Sequence, residues 1–303
     1  MIGLQDLANG VMLGATIGLG AVGLTLTYSI LGFANFAHGE LITVGAYAAL
    51  TLLWVVAALA GWGLGQWGPL SFGGPFVLLL AAAMALTAAL ALGLERALFR
   101  PLRRRGTMIG LVIASFGASL ALRSLVAFAW GPEPWYFTRE IAIAREVFPG
   151  VRVTPDQLFV VALTMVLMAG LHVLLTRTTL GRAMRAMSEN PALLAVTGIE
   201  PAAVARWTCA IGGALAAVAG LLIGLTVQVR PLLGFDLLLP LFAAVILGGV
   251  GSVYGALVGS LVVGVAEALA VPLIGAEYRA AVAFLVLIAV LVVRPTGLAG
   301  PRP

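Results

Sequence analysis

Residues 76–94 read FVLLLAAAMALTAALALGL, nineteen positions in which Thr87 is the one polar side chain. A helix rises 1.5 Å per residue, so a run of this length spans about 30 Å, the thickness of a bilayer's hydrocarbon core. A transmembrane strand needs only about ten residues and alternates apolar with polar. Nothing in this run alternates, so it reads as a membrane-crossing helix. The rest of the chain has the same character. Of 303 residues, 62% are hydrophobic and 10% charged, and mean hydropathy is +1.12. A soluble domain coats its surface with about 25% charged residues, which this chain cannot do. The expected fold is all-α, a polytopic transmembrane helical bundle in a single membrane domain over 1–303.

Apolar runs place spans near 9–31, 40–60, 76–99, 107–129, 158–176, 207–229, 237–250, 256–274 and 280–293. The last three are short and fit either three crossings or two helices with a re-entrant piece, giving 8–9 spans. The N-terminus begins Met1-Ile2-Gly3-Leu4-Gln5-Asp6 and lacks the positive charge that opens a secretory signal, so it reads as a retained first helix. Glycine is abundant, at 38 residues. In a bilayer small residues let helix backbones pack closely, and Gly10, Gly14, Gly18 and Gly251, Gly255, Gly259 form two such ridges.

All seventeen basic residues are Arg. Residues 95–106 hold five of them, 177–206 hold four, and Arg294 and Arg302 follow the last span. Nine crossings put these eleven on one side and Arg139, Arg145, Arg152, Arg230 and Arg279 on the other. Cytoplasmic loops collect Lys and Arg, so the Arg clusters are expected in the cytoplasm and the N-terminus outside. The sequence pI of about 10.1 thus reflects topology and does not call for nucleic acid as a partner.

The absence of Lys removes a P-loop, whose Lys contacts the phosphates, and Schiff-base chemistry. Two His and one Cys cannot assemble an ordinary zinc site, and the lone Cys209 cannot form an internal disulfide. No G-x-S-x-G elbow is present. No metal, cofactor or catalytic residue is expected, and the chain is not read as an enzyme.

Two stretches depart from plain membrane anchors. Tyr28 to Glu40 reads YSILGFANFAHGE and interrupts two apolar runs with Asn35, His38, Gly39 and Glu40. Non-helical backbone at membrane depth is tolerated where it is buried in protein or lines a cavity. One reading is a broken helix that supplies polar groups to a transport path. The other is a tight cytoplasmic turn with Glu40 at the start of the next helix. Ile246 to Gly255, ILGGVGSVYG, carries Gly248, Gly249 and Gly251, and its frame echoes the first stretch. Paired interruptions in the two halves of a membrane chain point to an internal repeat with a binding site between its halves. The fold is therefore expected to contain two broken or re-entrant Gly-rich segments.

The loop at about 177–206 contains two short helices. Ala183 to Met187 sets Arg182 and Arg185 on one face. Asn190 then caps a helix with Pro191 in its first turn, about 191–197, which stops at Gly198. An apolar helix shown by a loop must bury itself in a partner's groove, against its own chain, or at the lipid interface.

Three blocks resemble the permease family of high-affinity branched-chain amino acid importers, in particular the shorter of its two permeases. They are Gly20 to Gly45 with Asn35-Phe36-Ala37-His38-Gly39-Glu40, Gly181-Arg182-Ala183-Met184-Arg185-Ala186 through Gly198-Ile199, and Leu247-Gly248-Gly249-Val250-Gly251-Ser252 with Gly255 and Gly259. The resemblance implies a subunit of an ATP-driven importer in a bacterial inner membrane. Its implied partners are a second permease subunit, two cytoplasmic ATPase subunits that bind the ATP, and a periplasmic substrate-binding protein, all organised around the lipid bilayer. It implies ATPase coupling through Gly181, Arg182, Arg185, Ala186, Glu189, Leu193, Ala195 and Gly198. It also implies a substrate path near Asn35, His38, Gly39, Glu40, Gly248, Gly249 and Gly251. Relatives with this pattern also move urea, short amides or other amino acids. An ion-coupled secondary transporter is the alternative from another class. It would bury ionisable groups in the membrane, for which Glu40, Arg123, Asp236 and Glu267 are the candidates.

Overall fold

The computed structural model describes residues 3–60, 68–105, 107–137, 143–294 and 296–298. Helices α1 (Leu4–Leu31) and α2 (Ala37–Ala60) are followed by α3 (Pro75–Leu94), which passes through a π-helical turn at Glu95–Phe99 into α4 (Arg100–Arg105). Helix α5 (Met108–Trp130) leads to strands β1 (Arg145–Phe148) and β2 (Val151–Val153). Next come α6 (Pro155–Arg177), α7 (Thr179–Glu189), α8 (Pro191–Val196) and α9 (Pro201–Thr226). The chain closes with α10 (Leu233–Gly248), α11 (Val253–Ile274), a 3-10 turn at Ala276–Tyr278 and α12 (Arg279–Val293). Eight helical stretches among the described residues are long and apolar enough to cross a membrane, and α10 is a shorter apolar helix beside them. The chain is a multi-pass membrane protein of all-α class. The final three elements are three consecutive helices.

Helix α1 is the axis. Its residues from Gly14 to Thr27 are all buried, and it packs against α11, α9 and α10. Lipid tails are as apolar as Leu, so helices associate here through close packing and polar contacts, without the aqueous hydrophobic driving force. The first glycine ridge supplies that closeness. A Cβ on Gly14 would lie 2.8 Å from the Leu261 Cα, and one on Gly18 would lie 2.8 Å from Ser260 Oγ. The second ridge is divided. Gly255 and Gly259 pack on α10, whereas Gly251 lies in the turn before α11. At the periphery apolar side chains face outward, and Phe128 of α5 is 91% exposed.

The Arg-rich end is one cluster. Leu31, Phe33, Phe99, Leu111, Met184, Met187, Leu194 and Val204 pack together there, which docks α7 and α8 under α1, α3, α5 and α9. The opposite end carries an element outside the all-α expectation, an antiparallel hairpin pairing Arg145 with Val153 and Glu146 with Arg152. Gly150 turns it at φ 82°, the Glu146 carboxylate accepts from Gly150 N–H at 3.0 Å, and Gln5 ties it to α1 through Arg152 N–H at 2.7 Å.

Candidate functional site

Helix α1 ends at Gly32, whose φ of 76° lets its N–H reach back to the Tyr28 carbonyl at 2.9 Å. The next residues do not continue away from the bundle. They return along α1, and α2 begins beside it. His38 Nε2 lies 3.0 Å from the Gly20 carbonyl, and its ring fills the cleft over Gly23. Gly20 and Gly23 precede the end of α1 by eight to eleven residues, or about 12–16 Å along the helix. The first turn of α2 thus starts deep inside the bundle. Asn35 Oδ1 caps it, accepting from Ala37 N–H at 3.1 Å, while the Asn35 carbonyl accepts from His38 N–H at 3.2 Å. Asn35, His38 and Glu40 are buried. A Cβ on Gly39 would lie 2.7 Å from the Gly234 carbonyl and the Leu238 side chain, so this glycine sets the approach of α2 to α10.

Helix α5 contributes a polar stripe of which the sequence reading named only Arg123. Ser115, Ser119 and Arg123 recur every four residues and so share one face. Ser115 Oγ accepts from Phe36 N–H at 3.1 Å, Ser119 Oγ donates to Glu40 Oε1 at 3.5 Å, and the Arg123 guanidinium stands 4.7 Å from the centre of the Phe235 ring. Glu40 Oε2 is buried with no hydrogen-bond partner among the described residues. The i, i+4, i+8 spacing of polar residues inside an apolar span was the signal for this stripe.

The Gly248 region is a turn between consecutive helices. Gly249 and Gly251 have φ of 98° and 90°, in the left-handed region that glycine enters without a Cβ clash. Gly251 N–H donates to Thr25 Oγ1 at 3.1 Å, and Ser252 caps α11 by accepting from Gly255 N–H at 3.0 Å. A Cβ on Gly248 would overlap the Gly255 backbone. Leu298 N–H donates to the Leu247 carbonyl at 2.8 Å, pinning the tail over the turn. Each Gly-rich segment interrupts helix and joins two consecutive helices, α1 to α2 and α10 to α11. The two also do not meet. His38 touches α1 at Gly20 and Gly23, and Gly251 touches it at Thr25 and Ser29, which at 100° per residue are roughly opposite faces.

The residues assigned to coupling lie together on α7 and α8. Gly181 is buried, where a Cβ would overlap the backbone of Leu174 and Leu175, so α7 turns sharply off α6. Arg182, Arg185, Ala186 and Glu189 are exposed, while Ala183, Met184 and Met187 face the bundle. Asn190 Oδ1 caps α8, accepting from Ala192 and Leu193 N–H at 3.0 and 3.1 Å. Leu194 is 3% exposed and folds back on the bundle, whereas Leu193 at 66% and Val196 at 85% point away. Ala195 and Gly198 are exposed too, and Gly198 has φ of 83°.

At the opposite end residues 9–17 of α1, Glu267 and Ala268 of α11, the end of α9 and the beginnings of α6, α10 and α12 surround a cavity of about 910 Å³. Arg230 and Asp236 pair across its mouth at 2.8 Å. No group of three or more His, Cys, Asp or Glu suited to a metal occurs among the described residues.

A family model described as the permease component of the branched-chain amino acid transport system matches residues 7–291. The chain is 36% identical over 305 residues to the high-affinity branched-chain amino acid transport system permease protein BraD of Pseudomonas aeruginosa, covering 99% of this chain and 96% of that one. It is 35% identical over 305 residues to the LivH permease protein of the same system in Escherichia coli K12, with the same coverage. It is 36% identical over 310 residues to LivH of Salmonella typhimurium, again covering 99% and 96%. Both the family model and these relatives run through the Asn35–Glu40 stretch, α7–α8 and the Gly248–Gly255 turn, so the chain belongs to the branched-chain amino acid transport system permease family.

Proposed function

We propose that this chain is the membrane-spanning permease of an ATP-driven importer for branched-chain amino acids, set in a bacterial inner membrane with its Arg-rich end in the cytoplasm. The chain carries no Lys and no phosphate-binding loop, so ATP is hydrolysed on two partner subunits. A second permease completes the membrane part, and a periplasmic binding protein delivers cargo to the opposite end. Cargo passes near the first turn of α2 and the turn before α11.

One observation carries the reading: α8 turns Leu193 and Val196 away from the bundle at the Arg-rich end, beside Arg182 and Arg185 of α7. An exposed apolar helix flanked by cations is the shape that seats in a partner's groove, and Gly181 joins it to the membrane helix α6 through a rigid corner. Motion of the partner therefore reaches the transport helices directly.

The test is co-purification of the detergent-solubilised chain with its ATPases, before and after Leu193→Asp. The complex is expected to be lost on substitution while the chain still inserts and runs as a monodisperse species. An ATPase that stays bound to the Leu193→Asp chain would sink the assignment of α8.

A further inference from the structure

The cavity opposite the Arg-rich end has a feature that coupling and the α2 path leave unused. Of the charged groups that line it, Arg230 and Asp236 are paired with each other. Glu277 and Arg279 stand at the exposed rim. Glu267 alone is buried. It is 3% exposed, and its Oε1 has no hydrogen-bond partner among the described residues. A carboxylate withdrawn from water without a partner is costly, and the cost is relieved by a cation that reaches it. Arg279 lines the same cavity but forms no ion pair with Glu267 within 4.0 Å among the described residues.

Apolar walls complete the cavity, with Met12 and Ile17 from α1, Val160 from α6 and Leu237 from α10. Such a lining, with few charges placed at fixed points, is the usual make-up of a small-molecule site. A buried carboxyl group, a cation at the rim and aliphatic walls beside them match the three parts of an aliphatic α-amino acid. The cavity also lies on a different side of α10 from α2. Gly234 and Leu238 face Gly39, while Leu233, Leu237 and Pro240 face the cavity.

We infer that this cavity is an entry site within the single chain. Glu267 holds the ammonium group of an aliphatic amino acid there, and Arg279 faces its carboxylate, before the cargo moves on. The inference rests on the importer reading given above and adds a station to it. Glu267 acts by binding and takes no part in any covalent step.

Thr226 lines the same cavity and is exposed, so a cysteine there reports occupancy without altering Glu267. The assembled transporter carrying Thr226→Cys, with buried Cys209 replaced by Ala, is reconstituted into vesicles. It is labelled with a maleimide from the cavity side at rising concentrations of leucine, and leucine uptake is followed in the same vesicles. Millimolar leucine should slow labelling, and N-acetyl-leucine, which lacks the ammonium, should not. Adding Glu267→Gln should raise the half-protecting leucine concentration by about tenfold or more, the loss expected for a hydrogen bond to a charged group. With uptake intact, three results would each overturn the site: no protection by leucine, equal protection by N-acetyl-leucine, or a half-protecting concentration that Glu267→Gln leaves unchanged. If the assembly takes up no aliphatic amino acid at all, the importer reading falls and the entry site falls with it.

Discussion

A methyl group on Gly264 would sit 2.5 Å from the Cα of Gly14, so α1 and α11 could not keep their spacing. The same group on Gly117 of α5 would meet nothing within 4 Å. Overpacking a close seam costs about 1–3 kcal/mol, whereas a substitution into open space stays within about 0.5 kcal/mol. Gly264→Ala is therefore expected to lower the midpoint of thermal unfolding in detergent, and Gly117→Ala, free of clashes in the middle of α5, to hold or slightly raise it. Equal shifts for the two would remove the seam as a source of stability. The same geometry limits what bulky residues at Gly39 and Gly248 can report. A Cβ there already meets Leu238 or the Gly255 backbone, so such variants disturb helix packing before they obstruct a path. The Gly10, Gly14, Gly18 ridge was legible in the sequence because its spacing repeats every turn. Glu267 was named there as an ionisable residue that the membrane could bury, but its lack of a partner was not legible, because that is defined by what surrounds it in space.

At the scale of elements, one hydroxyl ties the turn between α10 and α11 to α1. Thr25 Oγ1 accepts from Gly251 N–H, and Thr27 and Thr16, its neighbours on α1, bond only carbonyls of their own helix. Thr25→Val removes this part-buried hydrogen bond, worth about 0.5–1.5 kcal/mol. Thr164→Val removes only a bond to the Val160 carbonyl within α6. The unfolding midpoint should drop for the first and hardly move for the second, and the reverse order would show that the turn is held some other way. Most helices were legible because twenty-residue apolar runs admit no other structure. The 177–206 loop was legible through Asn190, Pro191 and Gly198, although α7 covers eleven residues where five were read. The β1–β2 hairpin was missed although Pro149-Gly150 is a strong turn signal, because its strands are only four and three residues long. The depth at which α2 begins was not written in any local pattern. It follows from His38 and Asn35 finding partners on α1 and in their own turn.

The whole molecule is polar in a second sense, with its Arg clusters at one end. Membrane-impermeant maleimide applied to intact cells should label Glu277→Cys, at the end opposite the clusters, and should reach Ser188→Cys of α7 only after permeabilisation. The opposite pattern would invert the orientation and with it the side on which an ATPase could dock. The cavity around Glu267 belongs to this scale as well. It is assembled from residues between Asn9 and Ala280, and no window of sequence contains it.

The axial position of α1 bears on how the protein is made. This helix is synthesised well before its main neighbour, α11, which begins at Val253, 222 residues after Leu31. At roughly 5–20 residues per second, α1 waits about ten to forty-five seconds with its glycine seam and Thr25 unmatched. During that interval any other helix in the membrane with a small-residue face competes for the seam. Assembly of this bundle therefore depends on α1 staying available to α11 over that interval.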